Sequence, residues 1–92
     1  EQLEILILNP NKPKKYLREI IINGMSERML SDNVSVNWKI TPLNTDNRKI
    51  RSFTRNTKTI EYNFNRAGRY EITAQIDIKS CQGTTITTVI TL

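Results

Sequence analysis

Ninety-two residues carry 14 Lys+Arg against 9 Asp+Glu, no histidine and one cysteine, for a formal net charge of +5. A chain of this length makes one domain, residues 1–92, and buries about 60–65% of the surface its unfolded form exposes. Without imidazole, Ser-His-Asp and Cys-His catalysis are excluded. One thiol and no imidazole cannot build a structural zinc site, and a lone cysteine forms no internal disulfide.

Isoleucine occurs 13 times and threonine 11 times, and both are strand-prone. The 10 asparagines fall mostly between apolar runs, where turns belong. This composition predicts an all-β domain. The chain starts at Glu1, which reads as a domain excised from a larger protein, and the Ile/Lys/Asn vocabulary fits the AT-rich genome of a bacterium. No apolar run approaches the roughly 18–20 residues of a membrane span. Residues 1–46 hold 6 acidic and 6 basic side chains, whereas residues 47–92 hold 3 and 8, so the whole excess of +5 lies in the second half.

The first apolar run, Leu3 to Leu8, is closed by Asn9-Pro10, since proline brings no N–H to a ladder. A basic loop, Asn11 to Lys15, precedes a second strand from Tyr16 to Asn23, which Asn23-Gly24 ends. Met25 to Asn33 reads equally as one helical turn or an irregular connection, with Met29 and Leu30 tucked beneath it. Val34, Val36, Trp38 and Ile40 then share one face against Ser35, Asn37 and Lys39, the period-two pattern of a half-buried strand. Thr41-Pro42 ends it. Residues 44–57 are polar and basic, with Ile50 and Phe53 as apolar anchors for one short edge strand near Lys49–Phe53.

Ile60, Tyr62 and Phe64 alternate with Glu61 and Asn63, and Asn65-Arg66-Ala67-Gly68 makes a turn. The longest alternation follows: Tyr70, Ile72, Ala74, Ile76 and Ile78 inward, Glu71, Thr73, Gln75, Asp77 and Lys79 outward. Cys81-Gln82-Gly83 is expected to turn the chain. A last strand from Thr84 to Leu92 sets Ile86, Thr88, Ile90 and Leu92 against Thr85, Thr87, Val89 and Thr91. Val89 among threonines hints at partial cover by a neighbouring domain. Six or seven strands at this spacing predict an antiparallel sandwich of two facing sheets.

The string Tyr62-x-Phe64-x-x-x-Gly68-x-Tyr70-x-Ile72-x-Ala74, followed by Cys81-x-Gly83-Thr84-Thr85, resembles the C-terminal half of a polycystic-kidney-disease (PKD) domain. Trp38 stands where that family keeps its core tryptophan, so the resemblance spans residues 34–92. It implies an all-β, antiparallel immunoglobulin-like (PKD-like) β-sandwich of about seven strands. The family's usual Gly-Asp-Gly turn after the tryptophan is missing. Lys39-Ile40-Thr41-Pro42 stands there instead, so no loop function tied to that turn carries over. Gly68-Arg69-Tyr70 reads as a tyrosine corner, in which a Tyr near the start of the sixth strand bonds back to the preceding corner. Ile72 takes the place of a disulfide cysteine of antibody domains, and Trp38 is expected to pack on it.

Arg48, Lys49, Arg51, Arg55 and Lys58 place five cations in eleven residues with no acid among them. They read either as guards of an exposed sheet edge or as the contact for an anionic partner, whether an acidic protein or a polysaccharide. Nucleic acid is disfavoured, because Phe53 is the stretch's one aromatic and a base-stacking platform needs several. Lys12, Lys14, Lys15 and Arg18, with Glu19 beside them, read as a solvated loop. Cys81 is a bystander of its turn or the site of an intermolecular disulfide. Asp32-Asn33 and Asp46-Asn47 read as turn residues rather than calcium ligands. Asn33-Val34-Ser35 matches a glycosylation acceptor, which has no meaning in a bacterial protein. No catalytic, cofactor or metal site is expected. Acid-base work would fall on unpaired carboxylates such as Glu61 or Asp77.

The expectation is a non-enzymatic module of a bacterial cell-envelope or secreted protein, placed extracellularly, on the cell surface or in the periplasm. It would act as a spacer or contact domain for neighbouring domains or another envelope protein. The alternative is a carbohydrate- or anion-binding module using residues 48–58.

Overall fold

The computed structural model describes residues 3–25, 34–43, 49–78 and 81–92, with Cys81 and Gln82 as backbone only. Among the described residues there are seven strands and no helix: β1 (Glu4–Leu8), β2 (Leu17–Asn23), β3 (Ser35–Pro42), β4 (Arg51–Arg55), β5 (Thr59–Asn63), β6 (Arg69–Ile78) and β7 (Cys81–Thr91). They form two antiparallel sheets, of order β1-β2-β5 and β4-β3-β6-β7. Two such sheets, of three and four strands, are those of a seven-stranded β-sandwich. Met29, Leu30, Asp32, Asn33, Asp46 and Asn47 lie outside the described residues.

The period-two runs set the sheet faces. Val36, Trp38 and Ile40 of β3 and Tyr70, Ile72, Ala74, Ile76 and Ile78 of β6 are all buried, and they meet Ile20, Ile22 and Ile60 of the other sheet. Trp38 sits directly opposite Ala74 in the β3–β6 ladder, and Ile40 opposite Ile72. The small Ala74 leaves room for the indole, and Ile72 is its diagonal neighbour on the same face. The indole Nε1 is buried with no acceptor among the described residues, which costs on the order of 1–3 kcal/mol of lost hydration.

The polar sides are ordered too. Across the outer face of the four-stranded sheet, Thr54 of β4 donates to Asn37 Oδ1 of β3, and Asn37 Nδ2 donates to Asp77 of β6 at 3.3 Å. The turn before β6 holds Asn65 at φ 71° and Gly68 at φ 148°. Asparagine and glycine are the residues that tolerate such backbone. Over that turn the Tyr70 hydroxyl donates to the Arg66 carbonyl at 3.0 Å, so the tyrosine corner is formed.

Two details differ from the sequence reading, and a third is one it left unassigned. The expected edge strand at Lys49–Phe53 lies two residues later. Phe53 pairs with Trp38 in mid-strand, while Ile50 falls outside the ladder and is exposed. Cys81-Gln82-Gly83 does not turn the chain but begins β7. Cys81 pairs with Ile78 and Thr84 with Ile76, a bulge that puts two residues of β7 opposite Asp77. A Cβ on Gly83 would stand 2.6 Å from Asp77 Oδ1, so any larger residue there has to displace the Asp77 carboxylate. Finally, Leu17 lies on the outward side of β2 and is nonetheless buried. On the same outer face, Lys12 of the loop after β1 reaches Glu61 of β5 at 2.8 Å.

Two changes test this core. Trp38→Ala is expected to cost about 3–5 kcal/mol, most of the stability of so small a domain, and an unchanged urea midpoint would refute its central place. Tyr70 is the second. Burial raises its pKa above the ordinary value, with the nearby Arg66 opposing. The folded state therefore holds the phenol proton after the unfolded chain has lost it. This contribution to stability is complete below about pH 10 and lost as pH rises through the folded value. Alkaline unfolding of Tyr70→Phe should lack that part of the pH dependence, and the variant should lose about 0.5–1.5 kcal/mol at neutral pH.

Candidate functional site

The sandwich has two lateral sides, one where β1 and β7 approach each other and one between β4 and β5, because these four are the edge strands of the two sheets. The basic stretch builds the second. Arg51, Phe53 and Arg55 pair with Ile40, Trp38 and Val36, so they share the inward parity of the core residues. At the last strand of a sheet that direction leads along the rim of the core rather than into it. Both arginines are exposed, and Phe53 is half-buried.

An aromatic chain closes the rim across the two sheets. Phe53 of β4 stacks on Tyr62 of β5, with ring centroids 6.0 Å apart and planes 9° apart. Tyr62 meets Phe64 edge-on at 4.9 Å, and Phe64 meets Tyr70 at 4.8 Å. The Arg55 guanidinium lies 4.9 Å from the Phe53 centroid, within cation–π range.

A groove follows this rim in two parts. The smaller, of about 480 Å³, lies between β4 and β5 and is bordered by Arg51, Phe53, Arg55, Thr57, Glu61 and Tyr62. The larger, of about 780 Å³, opens where β4 begins and β5 turns into β6. Lys49, Arg51, Arg66 and Arg69 border it, with Ile40, Ile50, Tyr62, Phe64 and Tyr70 among its apolar walls and no acidic residue among the described residues that line it. Arg51 and Tyr62 belong to both parts. Like charges around a low-dielectric cleft focus a positive potential into it, so the arrangement can hold and orient an anion.

Of the five cations the sequence singles out, Lys49 and Arg51 come together at the larger groove, while Arg55 stands at the smaller one. Lys58 lies exposed just before β5, its carbonyl accepting from the Ile22 amide, and it lines neither groove. Arg48 lies outside the described residues. The sequence reading missed Arg66 and Arg69, which come from the tyrosine-corner turn. Their one signal was the charge excess of the second half, to which both contribute.

The remaining candidates disperse. Glu61 is held by Lys12 on the outer face of the three-stranded sheet, and Asp77 is bonded to Asn37 on the outer face of the other. Sandwich thickness therefore separates these two carboxylates. In the basic loop it is Glu61, not the adjacent Glu19, that partners Lys12. Arg18 donates to the Lys15 and Leu17 carbonyls. Among the described residues no three His, Cys, Asp or Glu side chains are grouped to hold a metal ion, and no helix is long and apolar enough to cross a membrane. The side chain of Cys81 lies outside the described residues. Comparison with family models, with curated proteins and with solved structures finds no match for this chain.

The aromatic chain predicts a measurable coupling across the rim. Phe53→Ala removes the Tyr62 stack and the Arg55 contact together, at a cost of roughly 1–3 kcal/mol. Because Phe53 and Tyr62 share one contact, Phe53→Ala and Tyr62→Ala should be less than additive in a double-mutant cycle of urea melts. Additive losses would show that the two edges are not joined there.

Proposed function

We propose that this chain is a non-enzymatic β-sandwich module of a bacterial cell-envelope or secreted protein, serving as a spacer or protein–protein contact domain outside the cytoplasm. The observation that carries the reading is where the ends of the sandwich lie. Glu4 at the start of β1 pairs with Asn23 at the end of β2, so the chain enters at that pole. The other pole gathers the start of β2, the end of β5 and the start of β6, because the Phe64 amide donates to the Tyr16 carbonyl. Leu92 exchanges both backbone hydrogen bonds with Gly68 there, at 2.8 and 3.2 Å. The chain therefore crosses from one pole to the other, the geometry that lets domains follow one another in line.

Two further features support this reading. The resemblance of residues 34–92 to PKD domains points the same way, since modules of that family serve adhesins, extracellular enzymes and surface lipoproteins as spacers or interaction units. Leu6 and Leu8 stand 37% and 47% exposed on the outer face of the three-stranded sheet, with half-buried Ile21 opposite Leu6. An apolar strip of that kind suits a neighbouring domain packed against it.

The in-line geometry is tested by small-angle scattering. Three copies joined through short linkers should gain close to the longest extent of the domain, 39 Å, in maximum dimension with each copy. A triplet as compact as a single globule of the same mass would refute the spacer reading.

A further inference from the structure

We propose that the β4 edge binds an acidic peptide in extended form, added to the four-stranded sheet as a fifth strand. Among the described residues β4 pairs with β3 alone, so its other side presents unsatisfied backbone donors and acceptors. Adding a peptide strand to such an edge is a general mode of recognition, with main-chain bonds giving affinity and alternate side chains giving specificity.

The side chains define the partner. Arg51, Phe53 and Arg55 recur at period two on one face, so a strand laid alongside meets them with every second residue. A carboxylate opposite each arginine and an apolar side chain opposite Phe53 make three complementary cross-strand pairs. The motif is acid-x-apolar-x-acid. Lys49 and Arg66 extend the positive field beyond the Arg51 end. Among the described residues that border the rim, the one carboxylate, Glu61, is bound to Lys12.

Other occupants fit less well. Antiparallel pairing of two β4 strands about Phe53 would set Arg51 against Arg55, a like-charge pair that disfavours a second copy. A neutral sugar or a nucleobase gains most from an open ring face to stack on. Here Phe53 is engaged by Arg55 and Tyr62, and Phe64 by Tyr62 and Tyr70. Among the described residues the outer backbone of β4 has no partner, and a peptide uses it where a polysaccharide does not.

This site lies away from the Leu6–Leu8 strip and does not depend on the spacer reading, so the scattering result and the binding result stand apart. The test is fluorescence polarisation at low salt with a labelled threonine heptapeptide bearing glutamate at positions two and six and valine at position four. Saturable binding is expected. The Arg51→Glu/Arg55→Glu double variant should weaken it by about tenfold or more and should instead bind the peptide with lysine at the same two positions. Methylating alternate backbone nitrogens of the glutamate peptide should abolish binding to the unaltered domain, which separates strand addition from plain charge capture. The proposal is overturned by no binding up to about 1 mM, by equal binding of the methylated peptide, or by Arg51- and Arg55-dependent capture of dextran sulfate without capture of the peptide.

Discussion

The seating of Trp38 against β6 is the constraint on which the rest of the sandwich depends. A domain of this size that lacks an inter-sheet disulfide must join its sheets by packing alone. Trp38, Ile20, Ile22, Ile40, Ile72, Ile76 and Val36 are the largest side chains fully removed from water, and they come from three strands of the two sheets. The indole fits because Ala74, the smallest residue on the inner face of β6, lies directly opposite. A larger residue there would overpack the site, and a smaller residue at position 38 would leave a void that Ala74 cannot fill. The pairing therefore carries the order that a disulfide and tryptophan share in antibody domains. It does so while leaving the indole N–H unpaired, so packing must outweigh that loss.

Packing so centred serves the middle of the sandwich and leaves its sides to other devices. At one side β1 and β7 approach each other. β7 carries no charged residue between Cys81 and Thr91. The other side is built differently. β4 contributes a single half-buried ring, and four aromatics in file take over the sealing from aliphatic packing. Tyr70 ends that file and also closes the corner through its hydroxyl, so the turn that presents Arg66 and Arg69 is tied to the core by the same residue. The cationic groove thus rests on a rigid base, as a binding site requires.

Much of this fold was legible because alternation is a local signal. In residues 34–40 and 70–78 every second residue is apolar and buried, so strand, face and core membership followed from one pattern. β4 was harder to place. With only Ile50 and Phe53 apolar, its ends rest on pairing to β3 rather than on its own sequence. Cys81-Gln82-Gly83 looked like a turn because glycine usually marks one, yet this glycine lies in a bulge opposite Asp77. Leu17 is buried although its strand parity points it outward, so alternation alone could not foretell its burial. The grooves were the least visible feature. The sequence showed cations crowded at 48–58, but only the crossing from β5 back to β6 brings Arg66 and Arg69 beside Lys49 and Arg51, and no local pattern encodes that meeting.

Edge protection and recognition by β4 need not compete as readings of the same cations. An edge strand invites indiscriminate pairing, and like charges on it repel a copy of itself. The rule that repels a basic strand attracts an acidic one, so a guarded edge is also a selective edge. What distinguishes mere protection is indifference to side-chain order, which any few lysines would satisfy. Here the two arginines flank an aromatic at strand period, and one of them lies over that ring. Solvation alone asks for no such order, whereas a complementary strand reads it residue by residue.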